Sequence, residues 1–469
     1  MSPASARTIQ VLMEILQVTA LGTNVALLRI MWAMVNGSFL RSRGAVMTAL
    51  HLCGFTPVQT RRSWQALRYG IWNIGEMIGG WRVQVQRAGQ WQASRYEGYK
   101  PVAADVTTFW RPRLQGWKGK FYQALANRAM TGVGLGIVVE VGRVGRQRIP
   151  ILRQLIRPEK NGNNDKGLQA TTLRWVGEHL AADEVLLYDG GTHLAEVAGA
   201  GIARYTIRLA LNCVARRNEL PPRASKRGRP TEYGAFVRPL ARKRKAHTIE
   251  ATPADSTTTF PFQARTITAE GWHSLVRTDQ KVDESQQTFT IWVFADPDYR
   301  QPLVVATNLT AAQAETIYRL YRDRWPVEEV PLVAKQMLGL HRQFVFARAC
   351  CYRLPELALL VANVLTYLAT VLPAIPTAFW DRHPKKQPAA SAAYWLKPIF
   401  PMLPSGMTNS EKKGLSPTTY PKVFWPINAK NGLFDRFSVP LTHIVKVQPA
   451  KGNLWSLSLA FSRQAFTGN

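Results

Sequence analysis

The sequence predicts an α/β core that is interrupted by a β-rich insertion and preceded by a helical domain. Three observations lead there. Residues 1 to about 98 carry apolar side chains at three- and four-residue spacing, as helices with one buried face do. From Tyr99 onward, short runs of β-branched residues alternate with helical periods, the pattern of a sheet covered by helices. Between Cys213 and Leu309 that alternation stops, and segments rich in β-branched and aromatic residues take over.

Within the helical domain, Arg43–Phe55 and the basic run Arg61-Arg62-Ser63-Trp64-Gln65-Ala66-Leu67 are separated by Gly54 and Pro57. Two short helices joined by a turn are expected. Such a pair is either a helix-turn-helix that grips DNA or a structural αα-hairpin, and the turn itself carries no code that separates them.

The core begins at Val102-Ala103-Ala104-Asp105-Val106-Thr107, a short buried strand bearing an acid, and continues through the β-type segments Val133–Val141 and Arg148–Ile151. Gln169–Leu180 is helical in period. Glu184–Asp189 is an apolar strand ending in a carboxylate, followed by Gly190-Gly191, a helix over Thr192–Ala198 and a strand over Arg204–Leu211. The order βββαβαβ is that of an RNase H-like fold, whose chemistry belongs at the strand ends.

The insertion opens with a basic stretch. Residues 223–245 hold nine Lys and Arg against the single acid Glu232. Within it Arg227-Gly228-Arg229-Pro230 has the form of a minor-groove hook, but four residues match by chance often in a basic chain, and a generic phosphate-binding loop is the expected reading. Arg265–Val276, Gln287–Phe294 and Leu303–Thr307 supply its strands. Trp292 and Trp272 lie in this region, where an alternating β pattern more often makes Trp a core residue.

Thr310 with Gln313 three residues later predicts a capping box opening the next helix. At 100° per residue, Tyr321, Arg324, Glu328 and Lys335 fall at about 0°, −60°, −20° and −40°, which puts all four on one face. Pro326 and Pro331 oppose a continuous helix, because each removes a backbone donor and crowds the preceding turn, so a break or kink is expected beside Glu328. Residues 310–372 complete the core after 99–212, residues 213–309 form the insertion, and 373–469 is a Pro- and Trp-containing C-terminal region.

Composition narrows the partners. Sixty Lys and Arg against thirty Asp and Glu give a formal charge of +30, a field that attracts polyanions. Nucleic acid is the first partner to expect, although ribosomal and membrane-surface proteins share such a balance. The four cysteines, Cys53, Cys213, Cys350 and Cys351, show neither zinc-ligand spacing nor a disulfide framework. Ile9–Phe39 and Leu354–Leu372 are apolar but interrupted by Glu14, Arg29, Glu356 and Asn363. Buried helices are expected there rather than membrane spans, with a cytoplasmic, nucleoid-associated location and no export signal.

Three acids stand apart: Asp105 and Asp189 at the strand positions above, and Glu328 on the last core helix. A lone Asp is usually a solvated surface group or a helix cap. Three in these elements suit a site for two divalent ions, Mg2+ or Mn2+, which cleaves and rejoins phosphodiesters. Asp105 would bridge the ions, with Asp189 and Glu328 each completing one side.

The third acid lies in Tyr321-x2-Arg324-x3-Glu328-x6-Lys335, which resembles the signature of bacterial insertion-sequence DDE transposases of the YREK group in all four residues and all three spacings. The resemblance extends over about residues 99–345. It implies double-stranded DNA, both terminal inverted repeats and target, as partner, and a homodimer in the paired-end complex, with dimerisation assigned by analogy to residues 373–469. It also implies that Arg208, Tyr321, Arg324 and Lys335 contact phosphates of the element's end, and it makes Trp292, ahead of Trp272, the candidate to trap a flipped base. The family's acid-Arg-Gly-Tyr context at the second acid is replaced here by Asp189-Gly190-Gly191-Thr192-His193.

Overall fold

The computed structural model describes residues 3–222, 231–244, 247–341 and 343–374. Residues 123–128 group apart, and the remaining described residues form one compact unit of mixed α/β structure.

Six helices come first: α1 (Pro3–Ile15), α2 (Thr23–Val35), α3 (Ser38–Arg41), α4 (Val46–Leu52), α5 (Pro57–Tyr69) and α6 (Ile74–Ala88). Local chemistry sets their ends. The Thr56 side chain accepts from the Gln59 N–H at the start of α5, the Gln59 side chain returns the bond, and Pro57 occupies the first turn, where its missing donor costs nothing. Gly89, at φ 66°, closes α6 in the left-handed conformation that glycine adopts cheaply.

The strands β1 (Gln92–Ala93), β2 (Lys100–Trp110), β3 (Lys120–Gln123), β4 (Arg128–Val144) and β5 (Gln147–Ile156) lead into α7 (Asp165–His179). After it come β6 (Glu184–Tyr188), α8 (Leu194–Gly199) and β7 (Tyr205–Arg208). β4 lies antiparallel between β2 and β5, while β6 and β7 continue from the other edge of β2 as parallel strands. Two glycines on one face of β4 let other elements approach. A Cβ on Gly136 would lie 2.2 Å from Thr172 Oγ1 of α7, and one on Gly134 would lie 2.3 Å from Phe121 Cζ.

The segment between Cys213 and Leu309 folds as β8 (Ala215–Arg217), β9 (Phe236–Val237), β10 (Arg242–Arg244), β11 (His247–Ile249), β12 (Ser256–Phe262), β13 (Arg265–Val276), β14 (Phe289–Ala295) and β15 (Leu303–Thr307). β15 pairs with β7, so most of these strands extend the main sheet in the order β5-β4-β2-β6-β7-β15-β14-β13-β8-β9. β10 and β11 pair with each other as a separate ribbon.

The last helices are α9 (Ala314–Arg322), α10 (Pro326–Leu332) and α11 (Arg348–Val371), with a π-helical turn over Val333–Met337. Two expectations are corrected here. Thr310 forms no capping box: a turn closed by the Ala312 N–H on Leu309 O holds it before the helix, and Gln313 is the N-cap without a side-chain bond. Nor do Tyr321, Arg324, Glu328 and Lys335 share one helix. The break falls at residues 323–325, ahead of Pro326, and the helix widens into the π turn after Pro331, where the proline's missing donor disrupts the regular ladder.

α11 is long and apolar enough to cross a membrane by length and composition, yet 94% of its most apolar window is buried inside the protein. Its side chains share one apolar cluster with α1, α2, α4, α6 and one face of the sheet. Asn363 is the polar rivet in that cluster. Its Oδ1 accepts from Trp81 Nε1 of α6 at 2.8 Å and from the Leu152 N–H of β5 at 2.9 Å, and its Nδ2 donates to Pro150 O at 2.6 Å. Asn363→Leu would strand three buried polar groups, each costing about 1–3 kcal/mol. We expect urea unfolding to report a loss of about 3–5 kcal/mol, at the upper end for one substitution; a loss below about 1 kcal/mol would mean the rivet is dispensable.

Candidate active site

The strand pairing brings the first two acids together. β2 and β6 lie parallel with Lys100 beside Glu184 and Ala103 beside Leu187. That constant offset of 84 residues carries Asp105 to the level of Asp189, one residue past the end of β6. Adjacent strands run about 4.8 Å apart, so the two carboxylates meet at the same height on neighbouring strands. The loop after Asp189 is fixed by Glu196, whose Oε2 accepts from the His193 N–H at 2.9 Å, Thr192 Oγ1 at 3.0 Å and Gln169 Nε2 at 3.0 Å. His193 is the N-cap of α8.

The third acid arrives through the break between α9 and α10. Asp323 is 1% exposed, accepts from Tyr96 Oη at 2.9 Å and pairs with Arg148 at 3.6 Å. Arg148 also donates to the carbonyl of Arg322 at 2.8 Å, satisfying a backbone group that the helix end leaves open. Beyond this anchor, Arg324 turns inward and Glu328 follows one turn later.

Arg324 is the centre of the cluster. It is 1% exposed, with Nη1 at 2.7 Å from Glu328 Oε1 and 3.8 Å from Asp189 Oδ2. Tyr321 Oη donates to Asp189 Oδ1 at 3.1 Å, and Arg208 Nη1 lies 3.7 Å from the same oxygen. The guanidinium also stacks over Trp325 at 4.9 Å. Its Nε, fully buried, has no hydrogen-bond partner.

The electrostatics follow from this crowding. Burial pushes the Asp105 carboxyl up to about 7; Arg324 and the Val106 N–H pull it down, while Glu328 and Asp189 push it further up. Burial also raises Asp189, but Arg324, the Gly190 N–H, Arg208 and Tyr321 outweigh it and hold that carboxyl below its ordinary value. Burial would lower the Arg324 guanidinium, yet Tyr321, Asp189, Glu328 and Asp105 together raise it. Lys335, in the π turn, donates to Thr107 Oγ1 at 2.7 Å on the face of β2 that Asp105 shares. Burial brings its ammonium down to about 8, opposed by Asp105.

Asp105, Asp189, Glu328, Arg208, Tyr321, Arg324 and Lys335 are therefore gathered around one end of β2 and β6. Arg227 and Arg229 lie outside the described residues. Tyr321 and Arg324 are buried against the acids rather than displayed on a surface. Trp292 and Trp272 are core residues, 7% and 1% exposed: β14 is buried on both faces, and on β13 the Trp272 indole is covered and donates to Thr252 O and Pro253 O. Neither is open to a base. Sequence reasoning missed Tyr188, whose buried hydroxyl has no partner and whose pKa is raised by burial and then by Asp105, Glu196 and Asp189. Its place immediately before Asp189 was the available signal. It also missed Glu329, raised to about 8 by burial against the pull of Arg148.

Among the described residues no three His, Cys, Asp or Glu side chains are gathered tightly enough to hold a metal ion as they stand. The donor chemistry nevertheless fits a hard divalent cation, which takes carboxylate oxygens. Like-charge repulsion on Asp105 is what such an ion would relieve. Protein-family models give no match to the chain, and no curated protein matches it.

A raised carboxyl favours its protonated form, so the native state binds an extra proton between the ordinary value near 4 and about 7. Stability from this group is then present at low pH and lost as pH rises through that window. In metal-free buffer Asp105→Asn, which mimics the neutral acid, should match the wild-type Tm near pH 4 and exceed it near pH 8. A gap that does not change with pH would contradict the assignment.

Proposed function

We propose that the chain is a cut-and-paste DDE transposase with an RNase H-like core, acting on double-stranded DNA at the terminal inverted repeats of its own element and at a target. The observation that carries this is the common level of Asp105 and Asp189 on adjacent parallel strands, with Glu328 joined to Asp189 through Arg324 and both Arg324 and Glu328 close enough for their charges to act on Asp105. The strand order β5-β4-β2-β6-β7, with antiparallel pairs on one side of β2 and parallel ones on the other, supports the core. Strands β8 to β15 are then its insertion, and the fit of the Y-x2-R-x3-E-x6-K spacing to residues that meet in space supports the family.

Asp105, Asp189 and Glu328 would hold two Mg2+ or Mn2+ ions. Bound there, the ions would supply the Lewis acidity that activates water or a 3′-hydroxyl and stabilises the leaving oxygen. The chain's own residues do the rest. Arg208 and Lys335 offer cationic groups beside the acids for the phosphates, Tyr321 orients Asp189, and Arg324 neutralises Asp189 and Glu328 and would add its charge to the attraction of a DNA phosphate. Two copies would pair the ends.

The test uses purified full-length protein, Mg2+ and a duplex carrying the inverted repeats that flank its gene. Joined product is expected, and Asp189→Asn should lower the rate by at least about 10²–10³-fold, the scale for losing one charge-stabilising group, while binding persists. Cuts without joining would mean an RNase H-like nuclease. DNA bound but left intact by the wild type would mean a catalytically inactive DNA-binding relative.

A further inference from the structure

We propose that the loop joining β14 to β15 positions the acids: Asp296 and Tyr299 hold α9, and through Tyr321 on that helix they set the place of Asp189. This rests on the metal site proposed above, and it makes Asp296, Tyr299, Tyr318 and Arg322 positioning residues rather than catalytic ones.

Three observations carry it. First, the loop is braced before it meets the helix. Asp296 Oδ1 accepts from the Asp298 N–H at 3.0 Å and the Asp296 carbonyl accepts from the Tyr299 N–H at 2.9 Å, while Pro297 between them has a fixed φ. Arg265, at the start of β13, straps the loop from the other side, with Nε 2.8 Å from Asp296 Oδ1, Nη2 donating to Asp296 Oδ2 at 3.0 Å and Nη1 2.7 Å from Asp298 Oδ2. Asp296 is 6% exposed, and such charge-assisted bonds are what a buried carboxylate needs.

Second, α9 is tied to this loop twice. Tyr318 Oη donates to Asp296 Oδ2, and Arg322 Nη1 donates to Tyr299 Oη. The Tyr318 ring is buried among Phe260, Phe262 and Phe294, at centroid distances of 5.6, 5.1 and 5.2 Å. At 100° per residue Tyr318 and Arg322 lie about 40° apart, so two ties one turn apart on one face fix the roll of the helix. The Asp323 clamp holds only its end.

Third, the residue between these ties acts on the acids. Tyr321, about 60° round the helix from Tyr318, donates to Asp189 Oδ1 at 3.1 Å. A site of this kind works only while its groups stay within about 0.5 Å or 10–20° of their places, and a roll of α9 of that size would carry Tyr321 off Asp189. Phe260, Phe262, Arg265, Phe294, Asp296 and Tyr299 all belong to the segment between the second and third acids. That segment is therefore the support on which α9 leans.

The test removes one hydroxyl at a time and keeps the ring packing. Full-length Tyr318→Phe and Tyr299→Phe are titrated with Mn2+ beside the wild type and Tyr321→Phe, and assayed for strand joining. Each of the two should show Mn2+ affinity and a joining rate about 10-fold lower, the low end for groups that orient metal ligands, at unchanged affinity for the duplex. Combining Tyr318→Phe with Tyr321→Phe separates positioning from stability. If the loop acts through Tyr321, the double variant loses no more Mn2+ affinity than Tyr321→Phe alone, whereas independent effects would multiply. Wild-type Mn2+ affinity in both Tyr318→Phe and Tyr299→Phe, multiplied losses in the double variant, or no Mn2+ uptake by the wild type would overturn the inference. Weakened Mn2+ binding by these variants of a chain that joins no DNA would leave it standing and remove the transposase reading; undiminished joining by both variants would do the reverse.

Discussion

A buried guanidinium ringed by carboxylates is the constraint on which the candidate site depends. Removing a charge from water costs several kcal/mol unless it is paired and hydrogen-bonded, and Arg324 is 1% exposed with one nitrogen left without a partner. It is tolerated because Glu328, Asp189 and Asp105 all favour its charge. The dependence is mutual. Without Arg324 the acids would repel one another, and Asp105, raised first by burial, is pushed further up by Glu328 and Asp189 even with Arg324 in place. Such a site concentrates charge in little solvent, which costs stability, as candidate functional sites often do.

The scaffold delivers the acids by two different devices. Hydrogen-bond register levels Asp105 with Asp189, so backbone pairing does the positioning. For Glu328 the device is a deliberate interruption of helix. Asp323, Tyr96 and Arg148 clamp the end of α9, Pro326 restarts the chain, and Pro331 precedes the π turn that points Lys335 at Thr107. Behind both devices α11 runs through the shared core, pinned to β5 and α6 by Asn363. The site is therefore built on strands and clamped helix ends rather than on loops alone, which favours preorganisation.

Much of this was legible in the sequence and some was not. The strands around Asp105 and before Asp189 lie where short runs of β-branched residues predict them, and Gly190-Gly191 marks the end of the second. The spacing of 84 residues between the two acids has no meaning until the pairing register gives the same number. The prolines announced a break near Glu328, but its location depends on Tyr96 and Arg148, residues far away in sequence. The angular argument over Tyr321–Lys335 assumed continuous helix and so reached the right grouping by the wrong geometry. Trp292 shows another limit: alternation cannot tell a strand with one buried face from a central strand covered on both. Arg227 and Arg229 lie outside the described residues.

The most direct measurement of the central claim is a titration of metal-free protein with Mn2+, followed by the loss of the free-ion electron paramagnetic resonance signal. The account predicts two bound ions per chain for the wild type, and loss of binding in each of Asp105→Asn, Asp189→Asn and Glu328→Gln. Equal Mn2+ uptake by all four proteins, or none by the wild type, would contradict it.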